Sequence, residues 1–138
     1  MTFNPAESID FNGNTGPFIQ YTYTRIKSVL RKAAQMGINN EQILFSGAKT
    51  SQKEIELIKL LRKFSETVSA AAAGYSPALI ANYCYELSRE YNQFYHDFSI
   101  LGEVDDVTKN FRLKLSIVIS EILYSGMWLL GIEMPERM

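Results

Sequence analysis

Apolar residues recur along most of this chain with the period of an α-helix, and no stretch shows the alternation of a half-buried strand. At 100° per residue, Ile19, Tyr23, Ile26, Leu30 and Ala33 fall in one narrow stripe, which predicts an amphipathic helix over 18–36 ended by Gly37. Ser51 with Glu54 three residues on has the capping-box pattern and opens a second helix over 51–73. Leu57, Leu61, Phe64 and Val68 form its stripe, with Ile58 and Leu60 on the flanks and Gly74 at the close. Ser76 followed by Pro77 starts a third helix over 77–101, because serine can cap free amides and proline fits the first turn. Ile80, Cys84, Leu87, Tyr91, Phe94 and Phe98 share one side of it, and Gly102 is its stop.

The acidic loop from Glu103 to Asp106 places negative charge at the N-terminus of a fourth helix over 106–130, where the macrodipole favours it. This helix carries two stripes, Phe111, Leu115, Val118 and Ile122 on one side, Leu113, Ile117 and Tyr124 on the other. Such a helix is expected between neighbours, with a kink at Gly126 and an end at Gly131. Residues 1–17, with Pro5, Gly13, Asn14, Gly16 and Pro17, read as an irregular lead-in, and 131–138 as a short extended tail. The expected fold is an all-α bundle of four to five helices forming one domain over 1–138.

A length of 138 residues suits one domain that can bury a full core without metal or disulfide staples. With 46% hydrophobic and 21% charged residues the chain is neither disordered nor membrane-spanning. Its single cysteine, Cys84, cannot close an intramolecular disulfide and fits a reducing, cytoplasmic setting. A net charge of −1 argues by itself against a nucleic-acid partner.

Catalytic chemistry finds no foothold. GAKTS at Gly47 to Ser51 lacks the adjacent Gly-Lys and upstream glycine of a phosphate loop, and GNTG at Gly13 to Gly16 lacks the strand that precedes a dinucleotide fingerprint. Cys84 and His96 lie roughly 18 Å apart along one predicted helix, too far to act as nucleophile and base. His96 has no companion at ligand spacing, so no zinc site is expected. Glu86 and Glu90 read best as a solvated face paired with Arg89.

The charge pattern is more telling than the total. Residues 11–40 hold Arg25, Lys27, Arg31 and Lys32 and not one acid. Opposite the apolar stripe of this helix, Tyr21, Arg25, Ser28 and Lys32 gather on one face. A ring and a guanidinium one turn apart suit the stacking and edge contacts by which single-stranded RNA is bound. The same pattern also fits a Tyr21 packed on a neighbouring helix beside merely solvated cations. On the third helix, Tyr85, Arg89, Asn92 and His96 form a polar face, with Tyr95 at the border between core and surface.

Three segments resemble one family. FNGNTGPFIQYTYTRIKSVLRKA (Phe11 to Ala33) is similar to the GNTGPYxQYxxxRIxS segment of arginyl-tRNA synthetases. SPALIANYCYELSREYNQFY (Ser76 to Tyr95) is similar to the long helix of their DALR-type anticodon-binding domain. SGMWLLGIEMPERM resembles their terminal NGLxLLGIxxPERM. The resemblance implies a C-terminal anticodon-binding domain of a class I aminoacyl-tRNA synthetase, without the catalytic half that carries HIGH-like and KMSK-like segments. It implies anticodon-loop contacts from Tyr21, Arg25, Tyr95 and Met138, with Gln20, Ser28, Arg31, Lys32, Asn92 and Arg137 as phosphate or supporting contacts. Thr24, Phe18 and Ser125 depart from the pattern at positions that remove none of these.

The implied partners are arginine tRNA, through its anticodon stem-loop, and the catalytic domain of the parent chain. A monomer is expected, with no membrane contact. No cofactor is expected in this fragment, and ATP and Mg2+ belong to the full-length enzyme. The alternatives are the equivalent domain of another class I synthetase such as the cysteinyl enzyme, and a helical adaptor that binds protein through Trp128 and the apolar C-terminal surface.

Overall fold

The computed structural model describes residues 4–8, 13–38 and 47–138, and every regular element among them is an α-helix. In order these are α1 (Pro5–Ser8), α2 (Gly16–Gln35), α3 (Gln52–Arg62), α4 (Phe64–Ala73), α5 (Pro77–Asp97) and α6 (Asp106–Leu129). The fold is all-α, as expected. The lead-in differs from expectation in holding the one-turn α1. Parts of that lead-in, and most of the polar stretch after α2, lie outside the described residues.

α5 packs against α2, α3, α4 and α6, and so is the central helix, while α6 lies among neighbours as expected, against α2, α3 and α5. Ile80, Tyr83, Cys84, Leu87, Tyr91 and Phe94 are its buried side. Burying a side chain such as Leu87 contributes ~1.5–3 kcal/mol. The phenols on this side do not go unpaired, since Tyr83 donates to Leu60 O at 3.0 Å and Tyr91 to Ser116 Oγ at 3.0 Å. Burial pushes both phenols well above their ordinary range and the Cys84 thiol up to about 12.

The expected second helix is two, α3 and α4, broken at Lys63. No glycine or proline marks the break. The carbonyl of Leu60, which a continuing helix would reserve for Phe64 N–H, accepts from both Lys63 N–H and the Tyr83 hydroxyl. Phe64 is then free to turn its ring toward Tyr83, centroid to centroid 5.5 Å.

α6 shows one buried stripe, not two. Leu113, Leu115, Ser116, Ile119, Ser120, Leu123 and Met127 are buried, whereas Phe111, Val118 and Ile122 are half-covered and Tyr124 is exposed. Two serines sit in the core face because their hydroxyls bond back to Arg112 O and Ile117 O, a satisfied arrangement that an apolar pattern cannot reveal. The helix runs without a break through Gly126, which packs closely on α5. A Cβ at Gly126 would lie 2.5 Å from Cys84 Sγ.

Helix ends follow the local chemistry with two exceptions. Thr15 caps α2, Asp105 caps α6 through Thr108, and the Ser51–Glu54 capping box is present. Ser76, by contrast, makes no capping bond, so Pro77 alone marks the start of α5. α5 also ends at Asp97, short of the expected Leu101, with Phe98 extended. There Arg112 takes Ser99 O at 2.9 Å and draws the chain out of the helix.

Candidate nucleic-acid interface

The outer face of α2 forms one side of a groove of about 750 Å³. Successive turns place Tyr21, Arg25, Ser28 and Lys32 along it, as the angular spacing predicts. The far wall comes from Tyr95 and Phe98 at the end of α5 and from Ser99 to Leu101, and the tail closes it with Arg137 and Met138. Among its described lining residues are four cationic side chains, Arg25, Arg31, Lys32 and Arg137, and no aspartate or glutamate. The local field is therefore positive although the whole chain is not.

Arg25 is the hub. Its Cζ lies 4.9 Å from the Tyr21 ring centroid and 4.8 Å from that of Tyr95. Its Nη1 donates to Asn92 Oδ1 at 2.5 Å and its Nη2 to the Tyr21 hydroxyl at 3.2 Å. Two ring contacts and two neutral acceptors orient the guanidinium without cancelling its charge. Behind Tyr95 the ring of Tyr91 follows at 6.4 Å, and Tyr91 in turn neighbours Phe94 at 6.0 Å, so an aromatic column ties the groove to the core.

The tail is clasped rather than loose. Met134 is buried. Gln20 Nε2 donates to Glu133 O at 2.8 Å, Arg31 Nη1 to Glu136 O at 3.1 Å, and Lys27 Nζ stands 3.6 Å from Glu136 Oε1. Tyr23 donates to the same carboxylate at 3.4 Å, and its phenol is raised above its ordinary value by burial first. These bonds hold Arg137 and Met138 at the groove.

The structure thus brings Tyr21, Arg25, Tyr95 and Met138 together, with Ser28, Arg31, Lys32 and Arg137 beside them. Gln20 does not line the groove and serves the tail, and Asn92 lies behind Arg25. Of the polar face on α5, Tyr85 is turned onto Phe18, ring centroids 5.4 Å apart, and Arg89 pairs with Glu90 at 3.1 Å. Glu90 also pairs with Lys53, whose hydrogen bond holds that carboxyl below its usual range. His96 is exposed beside Asp97. Among the described residues no group of His, Cys, Asp and Glu is gathered to hold a metal, and no helix is long and apolar enough to cross a membrane.

Sequence reasoning missed the wall from Ser99 to Leu101 and the residue that sets it. Arg112, nearly buried, bonds Glu54 at 2.9 Å and Glu103 at 2.8 Å, and its Cζ lies 5.1 Å from the Phe98 ring centroid. The available signal was a charge on the core side of α6, which demands a buried acid.

A second recess of about 630 Å³ lies between α4 and α6, lined by Phe64, Val68, Tyr124, Trp128 and Leu129 with three serines and no charge. Trp128 is 68% exposed there.

A family model for the DALR anticodon binding domain matches residues 19–138. Arginine–tRNA ligases of Phocaeicola vulgatus and Parabacteroides distasonis are 59% and 61% identical to the chain over all 138 residues. The chain spans 23% of the length of each. Among solved structures, the arginyl-tRNA synthetase of Thermus thermophilus superimposes with a TM-score of 0.83 at 30% identity, covering 99% of this chain and 23% of that one. That of Plasmodium falciparum gives 0.85 at 28% identity, covering 100% and 24%.

Proposed function

Because the chain belongs to the family of DALR anticodon-binding domains, we propose that it recognises the anticodon arm of an arginine tRNA as part of an arginine–tRNA ligase. The observation that carries this is the groove, without acidic side chains among its described lining residues, in which Arg25 stands over the Tyr21 and Tyr95 rings. Unstacked loop bases lay their faces on tyrosine and offer their edges to the guanidinium, each stacked base contributing ~1–3 kcal/mol. Lys32, Arg31 and Arg137 attract the backbone phosphates, and Met138 adds a polarizable apolar contact.

The reading divides the labour. Attachment of arginine, with its ATP and Mg2+, is assigned to the catalytic part of a ligase polypeptide, which acts in the cytoplasm. The uncharged recess around Trp128 is suited to contact with protein, and that same catalytic part is the partner proposed for it. A free adaptor is the competing occupant.

The deciding experiment titrates the domain with an arginine anticodon stem-loop and with an unrelated stem-loop. The arginine loop should bind more tightly, and Tyr21→Ala and Arg25→Ala should each weaken it while the helical circular dichroism stays native. Unchanged affinity in both variants would refute the site.

A further inference from the structure

We propose that Asn92 is a positioning residue that acts on RNA only through Arg25, by means of a part-buried hydrogen-bond chain between α2 and α5. The proposal rests on reading the groove as the RNA site. Asn92 is half-buried and absent from the groove lining, so its side chain stands behind Arg25 and not in the groove itself. Its amide is nonetheless fully committed. Nδ2 donates to Thr22 Oγ1 at 2.7 Å and to Ser88 O at 2.9 Å, and Oδ1 accepts from Arg25 Nη1.

Each role in this chain is forced by its neighbour. Thr22 spends its own proton on Phe18 O at 3.0 Å and can therefore only accept from Asn92. Ser88 O has no proton to give. The amide nitrogen must face these two acceptors, and the oxygen is left toward α2. Turning the amide over would set its N–H groups against a guanidinium and its oxygen against a carbonyl. Thr22 and Ser88 are fully buried, so water cannot substitute for either partner.

The consequence lies in what remains of Arg25. With Nη1 held by Asn92 and Nη2 by the Tyr21 hydroxyl, the guanidinium is fixed over the two rings. An arginine has five N–H donors, so others remain for the groove, and they are preset rather than mobile. A free side chain would lose rotamer entropy on meeting RNA, whereas this one has lost it already on folding. Asn92 thus tunes recognition while touching no ligand.

A double-mutant cycle tests this with the arginine anticodon stem-loop as probe and fluorescence anisotropy as readout. Asn92→Ala should weaken binding roughly 5- to 20-fold when Arg25 is present and less than about 2-fold in the Arg25→Ala background. Thr22→Val keeps the shape of a buried side chain remote from the groove and removes only the hydroxyl. It should reproduce part of the loss, again only with Arg25 present, and it preserves the test should Asn92→Ala unfold. Equal losses with and without Arg25 would overturn the proposal and make Asn92 a direct contact. So would wild-type affinity in both variants while Arg25→Ala binds weakly. If Arg25→Ala itself binds normally, the RNA-site reading fails instead, and the two failures are distinct.

Discussion

Two arginines stand over aromatic rings, Arg25 in the groove and Arg112 behind its far wall, and their partners make them different instruments. Arg112 is nearly buried, lies over Phe98, and is held by the carboxylates of Glu54 and Glu103. Arg25 lies over Tyr21 and Tyr95 and is held by an amide and a phenol. The first charge is consumed internally, and through Ser99 O and Phe98 it fixes the far wall of the groove. The second is oriented but not neutralised, so its field reaches a ligand. Arginine near an aromatic ring is therefore no evidence of a binding site until its acceptors are counted.

Stability separates the two most sharply. Replacing Arg112 by Met leaves the fully buried Glu54 without its cation, and breaking a buried pair in this way costs about 3–5 kcal/mol. Arg25→Met removes two bonds at a groove surface and should cost under about 1 kcal/mol. Urea denaturation of the two variants checks the contrast, and comparable losses would abolish it.

RNA binding should reverse the ranking among variants that remain folded. Arg25→Lys keeps the charge but loses the fork that reaches Asn92 and Tyr21 together, and a loss of roughly 10-fold in affinity is expected. Lys32→Ala should act differently. It should leave specificity for the arginine loop intact and lower the slope of log K against log salt by about 0.7, the value of one phosphate contact on a single strand. A Lys32 variant with unchanged salt slope would remove that residue from the phosphate path.

The same contrast explains what could be read in the sequence. The α2 face was legible because Tyr21, Arg25, Ser28 and Lys32 sit at helical spacing on one element, and periodicity alone brings them together. Tyr95 and Met138 lie on other elements, and their arrival at the groove was implied by family resemblance, not by spacing. Arg112 went unread because its meaning lies in Glu54, 58 positions away in the chain. The Lys63 break was hidden for a related reason, since the group that disturbs the helix there is the Tyr83 hydroxyl of another helix. The stripe on α6 misled because two of its core positions are serines that satisfy themselves.

Acid offers the mildest separation, because only one of the two arginines leans on carboxylates. Near the Arg112 wall, Asp105 caps α6, and its bonds from the Thr108 hydroxyl and amide hold its carboxyl below the ordinary value of 3.8. Between α3 and α5, Lys53 does the same for Glu90, below 4.5. For a carboxylate lowered on folding, the unfolded chain takes up its proton first as pH falls. The stabilising contribution is then complete above the ordinary value and is lost on descent through the folded one. The urea midpoint should therefore hold from about pH 7 to 5 and decline below about pH 4.5. Asp105→Asn retains a capping acceptor while removing the titration, so its decline should be shallower, and Glu90→Gln should act in the same sense. Among the described residues Arg25 bonds no carboxylate, and Arg25→Ala should follow the slope of the parent chain. A steeper or flatter slope in Arg25→Ala would mean that its charge, like that of Arg112, is answered by an acid within the fold.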